Sequence, residues 1–163
     1  MLIKLINENT LIVDDFKFKC CVGKKGIIKR KVEGDNTTPK GLFKIGKLYY
    51  RSDRVKKPHT KIKTKKIKKN SRWCNDSKSI YYNKEIISIK KIKSEKLYRN
   101  DYKYDYFLVI EYNFKKIVPN KGSAIFIHLT KNYKPTAGCI ALQKKDFLIL
   151  SMLINSKSKI LIN

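Results

Sequence analysis

Residues 2–22 read LIKLINENTLIVDDFKFKCCV, and this stretch decides the fold class. Apolar and polar residues alternate through it, which is typical of half-buried strands, since successive side chains of a strand point to opposite faces. Asn, Glu and Asp interrupt the apolar runs where tight turns would fall. We therefore predict a meander of short strands at residues 2–7, 10–13 and 16–22.

The same reasoning extends the strands along the chain and finds one helix. Further β-prone runs predict strands at residues 27–32, 42–50, 105–112, 123–129, 139–142 and 160–162. The helical pattern covers residues 144–155. Phe147, Leu150 and Ile154 fall on one face of it. Residues 94–99 suggest one short helical turn. The chain is thus predicted to be mainly β and mostly antiparallel, with one C-terminal α-helix.

Length and composition indicate one folded unit. A chain of 163 residues supports one hydrophobic core, so we predict a single domain over residues 1–163. Hydrophobic residues make up 42% of the chain, which argues against disorder. Charged or amide residues break every apolar run well before the roughly 18 residues of a membrane span. Residues 1–7 lack the features of a secretory signal, so no export address is visible.

The net charge of +26 is the outlier of the composition. It fits a polyanionic partner such as nucleic acid, an anionic cell-envelope substrate, or a compositional bias toward lysine. Lysines recur along almost the whole chain, so the charge alone discriminates poorly between these. Residues 51–72 carry eleven Lys or Arg against one acid, Asp53. We predict that they form a long exposed basic loop, densest at residues 56–69.

The four cysteines do not form a metal-binding or disulfide pattern. They are Cys20, Cys21, Cys74 and Cys139. There is no C-x-x-C pair and no pair of histidines at ligand spacing, so we predict no structural zinc and no cofactor. Three of the cysteines are interpreted as packing residues, and Cys139 is the exception.

Cys139 follows a glycine and lies eleven residues after His128. A neutral imidazole within reach can deprotonate a thiol, and positive charge around it would favour the thiolate. Gly138 permits close backbone approach and leaves adjacent N–H groups to face a bound carbonyl. Taken alone, a buried cysteine and a histidine at a strand end are more often packing residues than a catalytic pair.

Five blocks in order resemble the YkuD-like L,D-transpeptidase catalytic domain. The His128 segment with Pro-Thr-Ala-Gly-Cys at 135–139 resembles the family's His plus [S/T]-x-G-C signature, and residues 34–43 resemble its G-D-x-x-T-P-x-G-x-F segment. Residues 49–54, Trp73-Cys74 and residues 122–126 are similar to blocks of a bacterial subfamily. The resemblance implies a β-sandwich or barrel-like fold.

The resemblance also implies a reaction. Cys139 would attack the carbonyl between the third and fourth residues of a peptidoglycan stem peptide, and His128 would act as base and then as acid. The amides of Gly138 and Cys139 would contribute an oxyanion hole. An amine of a second stem, or water, would resolve the acyl-enzyme, and carbapenem-type inhibitors would acylate Cys139.

Two positions depart from the family pattern. Many members have His before the glycine and Arg or Asn two residues after the cysteine, where this chain has Ala137 and Ala141. Another cation would then bind the substrate carboxylate, and the candidates are Arg51 and Arg99. Two further substrate-binding candidates are Trp73 and Thr136. Trp73 is as readily a wall of the cleft as a partly buried core residue. Thr136 could orient His128 or the loop, although a threonine beside proline more often serves the turn alone.

A basic nucleic-acid-binding module without catalytic activity is the rival hypothesis. This hypothesis explains the charge but gives no role to the His and Gly-Cys blocks. The sequence also shows no RNP-like motif, helix-turn-helix signature or zinc finger. Nucleic acid is therefore a less favoured partner than peptidoglycan. The resemblance predicts a location in the cell envelope, which conflicts with the lack of a visible export signal. The oligomeric state is open.

Overall fold

The computed structural model describes residues 1–88 and 91–163, and these residues form a mainly β protein. The strands are β1 (Leu2–Asn7), β2 (Thr10–Val13), β3 (Phe16–Cys21), β4 (Ile27–Ile28), β5 (Thr38–Pro39), β6 (Gly41–Tyr50), β7 (Thr64–Lys66), β8 (Ser71–Cys74), β9 (Glu85–Ile87), β10 (Ser94–Lys96), β11 (Tyr106–Ile110), β12 (Phe126–Leu129), β13 (Ile140–Leu142) and β14 (Lys159–Ile162). The helix α1 covers Lys144–Leu153. The predicted fold class is confirmed.

The largest sheet closes on itself. Its strand order is β11-β12-β13-β3-β2-β1-β14-β6-β7, and β11 also pairs with β6, so eight strands form a ring with β7 outside it. Most neighbours are antiparallel, as predicted, whereas β1 with β14, β12 with β13, β6 with β7 and β4 with β5 are parallel. Strands β10, β8 and β9 form a separate three-stranded sheet, in that order.

Strand alternation sorts the buried side chains into two cores. On β11, Tyr106, Leu108 and Ile110 join one of them, and Phe107 and Val109 join the other. We call the larger, mostly aliphatic one the main core. The smaller one, the aromatic core, consists of Tyr49, Ile67, Trp73, Leu97, Tyr104, Phe107, Val109, Phe126 and Cys139. The two cores thus lie on opposite faces of the same strands.

Two local predictions were wrong. The strand predicted at residues 27–32 stops at Ile28, because the Val32 N–H turns away to donate to the Asp35 carboxylate at 2.7 Å. Residues 94–96, predicted as part of a helical turn, form β10, because cross-strand pairing with β8 overrides the local preference.

The basic loop at residues 51–72 is less exposed than predicted. Ile62 and Ile67 are buried, and Thr64–Lys66 pairs with β6 as β7. Several other bounds shift by one to three residues. The strand predicted at residues 123–129 begins at Phe126, and the helix ends at Leu153.

Candidate active site

Strands β12 and β13 run parallel side by side and lead into one surface cleft. In their register, Ile127 lies opposite Ile140 and His128 lies opposite Ala141. Cys139 directly precedes β13, so it belongs to the same face as His128. By the same register, Cys139 lies opposite Phe126, two residues before His128. Neighbouring strands are roughly 4.8 Å apart and each residue advances roughly 3.3 Å, so the α carbons of Cys139 and His128 are about 8 Å apart. His128 and Cys139 both line the cleft, whose volume is about 670 Å³.

The Cys139 side chain is 9% exposed and is held by backbone groups. Its sulfur accepts a hydrogen bond from the Phe126 N–H at 3.4 Å and donates one to the Ala124 carbonyl at 3.2 Å. Burial, together with the charge of Glu95, raises the pKa of the Cys139 thiol to about 12. The nearby cations Lys31 and Arg99 favour the thiolate, as expected, but desolvation outweighs them, so the net shift favours the neutral thiol.

His128 is buried, and one hydrogen bond fixes its tautomer. Its Nδ1 lies 3.0 Å from the Leu129 carbonyl oxygen. A carbonyl can only accept, so Nδ1 carries the hydrogen and Nε2 keeps its lone pair. Burial lowers the pKa of His128 to about 4, so the imidazole is neutral at pH 7. The Tyr104 ring packs edge-on against it, with centroids 5.5 Å apart. The site therefore holds a neutral imidazole with Nε2 in its basic form.

Two threonine hydroxyls hold the turn before Cys139. The Thr136 hydroxyl accepts from the Gly138 N–H at 3.0 Å and donates to the Cys139 carbonyl at 2.6 Å. The Thr38 hydroxyl donates to the Gly138 carbonyl at 2.8 Å and accepts from the Gly23 N–H at 2.9 Å. Gly138 has a φ of 141°, which a side chain would disfavour. Thr136 thus orients the loop that carries Cys139.

The G-D-x-x-T-P stretch packs directly onto this turn. A Cβ on Gly138 would lie 2.7 Å from the Thr37 carbonyl oxygen, so the two backbones are in contact. The buried Lys31 ammonium donates to Asp35 at 2.6 Å and to the Thr37 carbonyl at 2.8 Å. Asp35 accepts from the amides of Val32 and Thr37. The stretch therefore acts as a rigid support for the turn.

The two predicted arginines have different surroundings. Arg99 lines the cleft, and its guanidinium pairs with Asp101 at 2.6 Å. Among the residues that the structure describes, Arg51 is not part of the cleft lining. It is buried, pairs with Asp53 at 2.7 Å and stacks on Tyr98, with 3.4 Å between the guanidinium carbon and the ring centroid.

Trp73 lies behind the cleft lining. It is buried, and its ring meets Phe126 edge-on at 5.0 Å between centroids. Its Nε1–H donates to the Asn83 side-chain oxygen at 2.9 Å, and that oxygen also accepts from the Ala124 N–H at 3.0 Å. Trp73 therefore supports Phe126 and Ala124, the two residues that hydrogen-bond the Cys139 sulfur.

Sequence reasoning missed most of the polar residues of the cleft. The lining includes the acids Glu33 and Glu95, the lysines Lys24, Lys103 and Lys134, and the neutral residues Asn75, Ser123, Thr130 and Asn132. Glu95 accepts a hydrogen bond from the Tyr104 hydroxyl, and burial raises its pKa. The composition offered a signal for the acids. The chain has 13 acidic residues against 39 basic ones, so each acid is a candidate for a specific role.

The basic loop does not contribute to the cleft. Of the described residues that line it, none falls between positions 51 and 72. In the same described ranges, no group of His, Cys, Asp and Glu is arranged to hold a metal ion. The described helix is also too short to cross a membrane.

A search of solved structures found proteins that resemble this chain in fold. A solved structure of the helical cell shape determining protein Pgp2 from Campylobacter jejuni matches 99% of this chain and 46% of its own, with 17% identity and a TM-score of 0.50. Its K307A mutant matches 99% of this chain and 45% of its own, with 16% identity and a TM-score of 0.46. This chain thus spans less than half of those proteins, and the likeness concerns the fold alone.

The sequence comparisons give the family. A search of curated proteins found no match. The family model of the L,D-transpeptidase catalytic domain, YkuD, matches residues 4–162. Because this match covers nearly the whole chain, the protein belongs to the YkuD family of L,D-transpeptidase catalytic domains.

Proposed function

We propose that this protein is a cysteine-dependent L,D-transpeptidase that acts on peptidoglycan stem peptides. Cys139 is the nucleophile and His128 is the general acid and base. The observation that carries the proposal is that Cys139 and a neutral His128, with Nε2 in its basic form, line the same cleft from adjacent parallel strands.

The acylation step follows from the protonation states. The pKa of the thiol is raised to about 12 and that of the imidazole is lowered to about 4, so an ion pair is unfavourable before substrate binds. His128 therefore takes the thiol proton as the sulfur–carbon bond forms. The imidazolium then gives that proton to the amine of the departing fourth residue, which leaves an acyl-enzyme on Cys139.

Two groups complete acylation. The amides of Gly138 and Cys139 stabilise the oxyanion. The Gly138 N–H donates to the Thr136 hydroxyl in the free protein, so it exchanges this acceptor for the oxyanion. Arg99, which lines the cleft, binds a substrate carboxylate. It takes the place of the Arg or Asn that many family members have at the position of Ala141. In deacylation, His128 removes a proton from an amine or from water, which attacks the thioester and releases the thiol.

Mass spectrometry tests the proposal. The protein incubated with a carbapenem should gain the mass of one inhibitor, and peptide mapping should find it on Cys139. Incubation with a stem tetrapeptide should release its fourth residue. An unmodified protein that binds DNA or RNA in a salt-dependent manner would overturn the proposal in favour of a nucleic-acid-binding module.

A further inference from the structure

The Tyr104 side chain joins the His128 imidazole to the aromatic core. Its ring centroid lies 5.5 Å from that of His128, 5.1 Å from that of Phe107 and 5.9 Å from that of Phe126. Tyr104 is buried, and rings in a close-packed core have little room to turn. The imidazole therefore packs against a ring that is itself fixed.

The backbone next to Tyr104 is tied to the same strand end as the imidazole. The Leu129 N–H donates to the Lys103 carbonyl at 3.0 Å, so the residue before Tyr104 is bonded to the residue after His128. Leu129 also provides the carbonyl that accepts from His128 Nδ1. One short stretch of backbone thus holds Tyr104 in register with the acceptor of the imidazole.

The hydroxyl of Tyr104 is anchored by the small sheet. It donates to the carboxylate of Glu95, which lies on β10 opposite Trp73 of β8. The Arg99 guanidinium carbon lies 5.2 Å from the centroid of the Tyr104 ring, and its charge also acts on Glu95. A buried hydroxyl without an acceptor is unfavourable, so Glu95 fixes the far end of the Tyr104 ring.

The hydrogen bond of His128 fixes its tautomer but does not by itself hold the whole ring in place. It joins Nδ1 to the neighbouring residue, so the imidazole can swing about its side-chain torsions with only that bond to lose. Tyr104 packs against the imidazole and opposes this movement. The position matters, because a misplacement of about 1 Å can cost about 10²-fold in rate.

We propose that Tyr104 is a positioning residue for His128 and that Glu95 holds Tyr104 in that position. Tyr104 keeps the basic Nε2 available in the cleft and takes no proton itself. The small sheet then has a task in the reaction, because it sets the place of the general base through Glu95. The inference rests on the proposed function and adds two residues that act through His128.

The first test observes the imidazole itself. The chain has two histidines, so a long-range ¹H–¹⁵N correlation spectrum at pH 7 shows His128 together with the exposed His59 as an internal reference. In wild type, one His128 nitrogen should have the shift of a nitrogen that bears hydrogen, and the other that of a nitrogen with a free lone pair. Tyr104→Leu should move these two shifts toward each other as the tautomers mix, while the His59 signals stay in place.

The second test separates positioning from substrate contact, because Tyr104 also lines the cleft. Acylation of Tyr104→Leu by a saturating carbapenem should be about 10- to 100-fold slower, while the half-saturating concentration changes by less than about twofold. A raised half-saturating concentration with an unchanged maximal rate would overturn the proposal, since Tyr104 would then bind the inhibitor instead.

A double-mutant cycle tests the role of Glu95. Glu95→Ala should slow acylation about three- to tenfold more in wild type than in Tyr104→Phe, where the hydroxyl that Glu95 holds is already gone. The Glu95 carboxylate also acts on the Cys139 thiol, but this effect is present in both backgrounds and cancels in the comparison. Equal effects of Glu95→Ala in the two backgrounds would overturn the role of Glu95.

The aromatic core offers a matched control. The Tyr49 hydroxyl also donates to a carboxylate, that of Glu85 at 2.8 Å, and the Tyr49 ring contacts Trp73 and Phe107. Tyr49→Leu should leave the His128 signals at their wild-type shifts. Equal changes in Tyr49→Leu and Tyr104→Leu would overturn the proposal, because they would reflect a general loosening of the aromatic core.

The two readouts keep the failures apart. Wild-type His128 shifts and a wild-type acylation rate in folded Tyr104→Leu overturn the positioning role alone. No acylation of wild type overturns the proposed function, while the nitrogen shifts still report how the imidazole is held. If Tyr104→Leu does not fold, the cycle with Tyr104→Phe, which keeps the ring, decides the question.

Discussion

The main core and the aromatic core use the same strands but hold together by different chemistry. The main core is mostly aliphatic and includes Phe147 and Leu150 of α1 and Ile154, which directly follows the helix. In the aromatic core, the Tyr49 hydroxyl donates to a carboxylate and Trp73 donates to an amide oxygen. Apolar packing is non-directional, whereas ring contacts and hydrogen bonds fix orientation.

This difference assigns the two cores different tasks. The main core supplies the burial that stabilises the fold. The aromatic core contains Cys139 and packs against His128, so it sets the positions of these two side chains, to which we assign the chemistry. We expect substitutions in the main core to change the free energy of unfolding and substitutions around the aromatic core to change activity. The predictions below test this division.

The largest effect should come from Cys139→Ser. A serine fits the same space but lacks the reactive thiol, so acylation by a carbapenem should fall at least about 10⁴-fold while thermal unfolding is little changed. Intact-mass analysis and a melting curve measure the two effects. The control is Cys74→Ser, a buried cysteine of the neighbouring β8, which should keep its labelling. Labelling that survives in Cys139→Ser but is lost in Cys74→Ser would identify Cys74 as the reactive thiol. It would then contradict the assignment of Cys139 as the nucleophile.

His128→Ala should lower the acylation rate about 10²- to 10⁴-fold at pH 7. A pH series gives a second readout. The folded pKa of about 4 lies below the ordinary 6.5, so the unfolded chain takes up the proton first. Wild type should therefore lose about 3 kcal/mol of stability as pH falls from 6.5 through 4, and His128→Ala should lack this loss. Identical pH profiles of stability in the two proteins would contradict burial of the neutral imidazole.

Leu150→Ala should show the opposite behaviour. This side chain is fully buried in the main core, so its truncation should lower the free energy of unfolding by about 2–5 kcal/mol. The acylation rate of the folded fraction should remain at the wild-type value. Urea titration and carbapenem labelling well below the transition measure the two quantities. A large drop in the labelling rate of folded protein would show that the cores are not separable.

Sequence reasoning located Cys139 and His128, which line one cleft, and the stretch at residues 34–43 that packs on the turn before Cys139. It did not find the acids of the cleft. Glu95 belongs to β10, which was predicted as a helical turn and is positioned by its pairing with β8. The raised pKa of Cys139 was also missed, since desolvation depends on the packed neighbours and not on the surrounding charge.

Thr38→Val should have a moderate effect on both properties. The hydroxyl bonds the Gly138 carbonyl and the Gly23 N–H in a fully buried position, so its loss should lower stability by about 1–3 kcal/mol. The turn before Cys139 would loosen, and acylation should slow about tenfold. Thr10→Val, at a hydroxyl bonded only to the neighbouring Asn9 side chain, serves as a control with neither effect. A normal acylation rate in Thr38→Val would show that the turn holds its position without this support.

The smallest effect should come from the basic loop. Replacing six lysines by Gln removes charge from a segment that does not line the cleft, so long-range steering is lost together with the ion pair of Lys65 with Glu85. These lysines are Lys61, Lys63, Lys65, Lys66, Lys68 and Lys69. We expect KM for an anionic substrate to rise about two- to threefold at low salt, with no change at physiological salt, where the screening length is about 8 Å. Steady-state kinetics across a salt series measures this, and a fall in kcat would mean that the loop shapes the site.

The parallel pairing of β1 with β14 has a consequence for synthesis on the ribosome. Leu2 pairs with Lys159, so the two partners are 157 positions apart in the chain. At about 5–20 residues per second, β1 waits roughly 10–30 s before β14 is made. During that time the partly folded chain presents an unpaired strand edge, which is a template for aggregation. The high positive charge, spread along the whole chain, keeps nascent copies apart through mutual repulsion while the ring is still open.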